Sequence, residues 1–149
     1  MRAVVQRVKL ASVRVDGQQV SAIGAGFMVL LGVGVDDDQD DVDYMVRKIS
    51  GLRIFYDQDE RMRLSLHEVA GAVLVVPQFT LYGDARKGNR PSFVRAAPPE
   101  LGRTLYESVM QGLKDVGLQV CGGRFREAME VELINDGPVT ILLDSSKQF

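Results

Sequence analysis

Apolar and polar residues alternate from Arg2 to Val15, with Val4, Gln6 and Val8 set against Val5, Arg7 and Lys9. A period of two predicts a half-buried strand. Asp16-Gly17 is a hairpin signal, and Val20 to Ile23 reads as the returning strand. Phe27 to Val35 is almost wholly apolar and reads as a central buried strand. The period then changes. Between Asp36 and Ser50 the apolar positions fall at Val42, Met45, Val46 and Ile49, which is the i, i+3, i+4, i+7 face of a helix. The carboxylates of Asp36, Asp37, Asp38, Asp40 and Asp41 suit its N-terminus, where free N–H groups and the positive end of the dipole lie. Gly51 is placed to stop it.

Arg53 to Tyr56 and Met62 to Leu66 read as a hairpin about the acidic turn Asp57-Gln58-Asp59-Glu60. That turn lacks the glycine and glutamate spacing of a calcium loop. Ala72 to Val76 is a continuous apolar run, hence a buried strand, leading into Pro77-Gln78-Phe79-Thr80-Leu81 and a polar loop from Gly83 to Arg95. Pro98-Pro99 opens a second helix with the stripe Leu101, Leu105, Val109, Leu113 and Val116, closed by Gly117. Leu118 to Val120 is strand-like, and Met129, Val131 and Leu133 alternate with Glu130 and Glu132. Asn135-Asp136-Gly137-Pro138 reads as a turn, and Val139 to Leu143 as the last strand. With two helices among many hairpin-linked strands, the expected fold is α+β: one domain over residues 1–149, with a strongly curved, mostly antiparallel sheet.

Composition narrows the function classes. The chain has 149 residues, 46% hydrophobic and 26% charged, as in ordinary globular proteins. No apolar run approaches the ~20 residues of a membrane span. No signal-peptide pattern follows Arg2, so the expected location is cytoplasmic. A net charge of −2 and a pI near 5.4 argue against a basic coat for nucleic acid, so any RNA contact must be local. Cys121 and His67 are the only residues of their types. Internal disulfides and His-rich or multi-cysteine metal sites are thereby excluded, and no metal or cofactor is expected. Cys121 reads as an inert thiol, and His67 as an exposed or hydrogen-bonded side chain.

The familiar catalytic motifs are missing. There is no Gly-x-Ser-x-Gly elbow, P-loop or His-Glu-x-x-His, and Gly32-Val33-Gly34 lacks the third glycine of a dinucleotide site. An enzyme without an evident acid–base pair works through backbone donors, positioning and its substrate's own groups. Two segments draw attention on that basis. Gln78-Phe79-Thr80 ends a buried strand, and Asn135-Asp136-Gly137-Pro138 combines turn residues near the C-terminus. Taken singly, each reads as plain structure: a strand end with an aromatic plug, and a turn.

Taken together, they resemble the D-aminoacyl-tRNA deacylase family, whose members carry a Ser-Gln-Phe-Thr-like motif and a C-terminal Asn-x-Gly-Pro-Val-Thr motif. The second is complete here as Asn135-Asp136-Gly137-Pro138-Val139-Thr140. The similarity also covers Val5-Gln6-Arg7-Val8, Ile23-Gly24-Ala25-Gly26, Arg53-Ile54-Phe55, Asn89-Arg90-Pro91-Ser92-Phe93 and Gly123-Arg124-Phe125. One departure stands out: Pro77 replaces the usual serine, removing a hydroxyl and a backbone donor. A related animal group also has proline there but has alanine in place of Phe79.

The resemblance implies a homodimer with active sites at the subunit interface, acting on the 3′-terminal adenosine end of aminoacyl-tRNA. It implies a cis Gly137-Pro138 peptide whose carbonyls face the substrate amino group and exclude an L side chain. Arg7 would hold that motif, together with Asn135. Phe79 and Thr80 would offer backbone N–H groups near the scissile carbonyl, Gln78 would shape the adenosine pocket, and Met129 would wall it, with plain packing an equal reading of Met129. Arg86, Lys87 and Arg90 are the candidate RNA-backbone contacts, with a solvated loop as the other reading. The nucleophile is either the Thr80 hydroxyl or a water assisted by the tRNA 2′-hydroxyl. Two alternatives stay open: a deacylase for glycyl or L-alanyl esters, and a non-catalytic RNA-end binding module.

Overall fold

A computed structural model describes residues 1–149. Strand β1 (Arg2–Val15) is the spine of the sheet. One of its edges is shared by two antiparallel strands: β3 (Gly26–Gly32) pairs with Arg2 to Val8, and β2 (Gln18–Ile23) with Ala11 to Val15. Along the other edge runs β8 (Glu130–Asp144), also antiparallel. Beyond β3 the pairing turns parallel, first to β6 (Ala72–Pro77) and then to β7 (Gln119–Gly122). The sheet is therefore mixed, antiparallel about β1 and parallel beyond β3. It curls so far that the β7 thiol of Cys121 approaches the carbonyl of Ala22 in β2, at 3.9 Å. The expected hairpin forms as β4 (Phe55–Tyr56) with β5 (Met62–Leu64).

Curling gives the sheet two apolar layers. On the convex side Met1, Ala3, Val5, Phe27, Val29, Val73 and Val75 pack under the helices α1 (Gln39–Gly51) and α2 (Pro99–Asp115). Inside the curl lie Val8, Ala11, Val13, Met28, Leu74 and Val76. Each such fully buried Val, Leu or Phe contributes about 1.5–3 kcal/mol, and Phe27 adds a stacked contact with Phe55, ring centroids 5.2 Å apart. β1 serves both layers by alternation, and its register shift between Val8 and Leu10 moves the inward-facing positions from Val8 to Ala11 and Val13. An inserted residue does this at a bulge.

The acidic run divides its duties. Asp38 caps α1 in a reciprocal capping box with Asp41. Asp37 instead accepts from the N-terminal ammonium, 2.7 Å away, and from the amide of Gly34. In α2, Leu105, Tyr106, Val109 and Leu113 are buried, whereas Val116 is 45% exposed and is not part of the core stripe. It sits at the C-cap, where the chain leaves the helix for β7, and Gly117 with φ +89 ends the helix. No helix is long and apolar enough to cross a membrane.

Candidate active site

β6 ends at Pro77, opposite Leu31, and the Gln78 amide makes the last ladder bond to the Leu31 carbonyl at 2.8 Å. Proline is tolerated at such a strand end. The chain then tightens into one turn of 3-10 helix, Phe79–Tyr82. The first N–H groups of any helical turn lack partners within it, and here the amides of Phe79 and Thr80 donate to no group of the chain. The Gln78 side-chain amide donates to the Thr80 hydroxyl oxygen. No imidazole, carboxylate or amine touches that hydroxyl, so nothing in the chain is set to remove its proton. Phe79 stands 58% exposed, edge-on to Phe93 at 5.2 Å between centroids.

Beside this turn opens a cleft of about 690 Å³, walled on one side by Pro77, Gln78 and Phe79 and on the other by Arg126, Glu127, Ala128 and Met129. Phe125 and Tyr106 also line it. The two walls come together because position 123 is glycine: a Cβ there would lie 2.7 Å from the Met129 sulfur and 3.2 Å from the Pro77 ring. The Tyr106 hydroxyl donates to the Val75 carbonyl at 2.7 Å. Burial raises its pKa well above the phenol range, so Tyr106 is a neutral structural donor and no proton carrier. Tyr106 was not among the sequence candidates. The signal was present, since it is three residues before Val109 and seven before Leu113 on the buried face of α2.

Asn135-Asp136-Gly137-Pro138 is not a turn. β8 runs unbroken from Glu130 to Asp144, and the motif bulges out of it opposite Arg7. The Asn135 side chain spans the bulge. It accepts from the Val139 amide at 2.8 Å and donates to the Val139 carbonyl at 3.1 Å, standing in for a missing strand partner. Gly137 has φ +152, and a Cβ on it would lie 2.7 Å from Val139 Cγ2, so only glycine fits. The Gly137-Pro138 peptide is cis, and Pro138 is exposed. Arg7 is 2% exposed in the central strand. Its Nε donates to the Asp136 carbonyl at 2.8 Å and its Nη1 to the Ile54 carbonyl, and its guanidinium lies 4.6 Å from the centre of the Tyr56 ring.

Within one chain the two motifs do not meet. Pro77 is level with Leu31 and Ala3, while the bulge is level with Arg7, four residues along β1. That separates them by roughly 13 Å along the strands and by three strand spacings, roughly 14 Å, across the sheet. Met129 joins Gln78 and Phe79 in the cleft, whereas Gly137, Pro138, Asn135 and Arg7 form the second cluster. Thr80 is exposed beside the cleft. Arg86 is held by Asp84 at 2.9 and 2.6 Å, so its charge is locally matched, and Lys87 and Arg90 stay exposed without an ion pair. Cys121 is half-buried, and burial pushes its thiol pKa up, away from nucleophilic use. His67 is exposed in the turn after β5.

A profile of the family described as D-Tyr-tRNA(Tyr) deacylase matches residues 4–144. The chain belongs to that family. It is 56% identical to the D-aminoacyl-tRNA deacylase of Thermotoga petrophila, over 100% of both chains, and 58% identical to that of Anaeromyxobacter dehalogenans, again over 100% of both. Among solved structures it is similar to one titled c-Myc DNA Unwinding Element Binding Protein, with TM-score 0.93 and 43% identity, covering 97% of this chain and 99% of that one. A probable eukaryotic D-amino acid tRNA deacylase shares the fold at TM-score 0.81 and 18% identity, covering 95% and 97%.

Proposed function

We propose that the chain hydrolyses the ester of D-aminoacyl-tRNA, releasing the D-amino acid and tRNA. Family membership supports the reaction class, and the observation that carries the reading is the pair of unpartnered amides at Phe79 and Thr80 beside a largely apolar cleft. Clefts of ~300–1,000 Å³ take small organic ligands, and this one suits the terminal adenosine. The two amides would stabilise the oxyanion that forms on the ester carbonyl. Water attacks that carbonyl, the bond to the ribose 3′-oxygen breaks, and a proton passes to that oxygen. With Gln78 donating to Thr80 and no base at hand, the attacking group is a water positioned with the 2′-hydroxyl of the terminal adenosine, not the threonine.

Hand selection belongs to Gly137 and Pro138 of a second copy. Their carbonyls would hold the substrate amino group and fill the space of an L side chain, leaving a D side chain free and admitting glycine. Two observations support assembly. The motifs lie too far apart in one chain, and Leu142 of β8 is an apolar side chain left 58% exposed. An exposed apolar side chain on a sheet strand is the kind of surface a partner covers. The position of Pro77 keeps a second reading in view, a preference for glycyl or L-alanyl esters. Deacylation rates on D-tyrosyl, L-tyrosyl, glycyl and L-alanyl tRNA, without added metal, decide. The expected order has D-tyrosyl and glycyl esters turned over and L-tyrosyl slower by about 100-fold or more. Preference for L-alanyl would select the second reading. Binding without release would leave an RNA-end binding module.

A further inference from the structure

The wall of the cleft opposite Phe79 is lined by Arg126. Its backbone is left-handed, φ 65, which is uncommon for a residue with a side chain. Arg126 is exposed, and no carboxylate lies within ion-pair distance of it. The neighbouring acid, Glu127, is taken by Arg124 at 3.6 Å. Arg103 of α2 holds its guanidinium 5.0 Å from the centre of the Phe125 ring and also has no ion pair. Arg126 thus lines the cleft and Arg103 lies over an aromatic ring that also lines it, both without an ion pair, in a chain whose net charge is −2.

We propose that Arg126, with Arg103 beside it, grips the phosphate that joins the terminal adenosine to the preceding nucleotide. Guanidinium is suited to this because its planar fork matches phosphate oxygens. The grip makes the enzyme a reader of polynucleotide ends over free nucleoside esters. This rests on the deacylase reading above and adds to it a contact outside the reacting centre.

The test uses Arg126→Asn, Arg103→Gln and the double variant. Asparagine is chosen at 126 because it tolerates the left-handed backbone. Rates are measured on D-tyrosyl-tRNA and on 3′-O-D-tyrosyl adenosine, which has no phosphate. For the tRNA ester, kcat/KM falls about 10-fold in Arg126→Asn and further in the double variant, through KM with kcat unchanged. The salt dependence of log KM flattens by about 0.7 for each phosphate that is no longer gripped. The nucleoside ester, which has no phosphate to grip, loses several-fold less than the tRNA ester. Equal losses on both substrates, or none on the tRNA ester, overturn the grip. If the unaltered protein hydrolyses neither ester, the deacylase reading fails on its own. Fluorescence anisotropy with an uncharged CCA-ended oligonucleotide then still reads the grip, as weaker binding and a flatter salt slope in Arg126→Asn; unchanged binding refutes it.

Discussion

Arg7 is a full charge buried in the middle of a sheet, and its value lies in what it satisfies. Two backbone carbonyls, of Asp136 and Ile54, depend on its guanidinium. Arg7→Met leaves both without donors, at a cost of about 3 kcal/mol, read as a lower urea midpoint at unchanged m. Arg7→Lys recovers only part, because an ammonium lacks the fork that reaches both. Gly137→Ala forces a side chain into φ +152 against Val139 and costs about 2 kcal/mol, with the same readout. Thr80→Ala tests the nucleophile: turnover of the D-tyrosyl ester stays within about tenfold of the unaltered protein. Near-complete loss would instead make the hydroxyl the attacking group.

At the scale of elements, legibility follows periodicity. Alternation in β1 and the 3.6-residue rhythm of α1 and α2 are local properties, so the sequence reveals them. The bulge reads as a turn in the sequence because Asn, Asp, Gly and Pro are turn formers. Only the ladder that β1 lends on both sides of it, a tertiary fact, keeps β8 in one piece, with the Asn135 side chain bridging locally to Val139. Parallel pairing of β3 with β6 is likewise invisible in the sequence, since a buried apolar run looks the same in either direction. The strand end at Gln78-Phe79-Thr80 marks a place for backbone donors, but only the family motif singles out the amides of Phe79 and Thr80, because no side-chain pattern announces a backbone donor. Asn135→Ala removes both bonds across the bulge and should lower stability by about 1.5 kcal/mol, seen in thermal or urea unfolding. At the start of α1, burial opposes ionisation of Asp41. The Ser145 hydroxyl, the Asp38 amide and the N-terminal ammonium prevail, holding its pKa below 3.8. The unfolded chain then binds this proton more tightly. The group's stabilisation is full above about pH 4 and is lost as pH falls through the folded value. Asp41→Asn should flatten that acid limb of the stability profile.

For the molecule as a whole, the proposed dimer makes a direct prediction. Leu142→Glu places a charge at this exposed apolar position of β8. Sedimentation should shift from dimer to monomer, far-UV dichroism should stay unchanged, and turnover should drop by about 100-fold. A variant that is monomeric yet fully active would show that one chain suffices. The spine of the sheet also governs how the chain comes to be folded. β1 is the first strand made, and its free edge is closed only by β8, the last, with Arg2 paired to Asp144. Contacts of such sequence separation are slow to form, and synthesis proceeds at about 5–20 residues per second. The earliest strand therefore waits through nearly the whole of translation with one row of amides and carbonyls unpaired, so the nascent chain is most open to wrong strand pairing along the edge that the Gly137-Pro138 bulge will finally occupy.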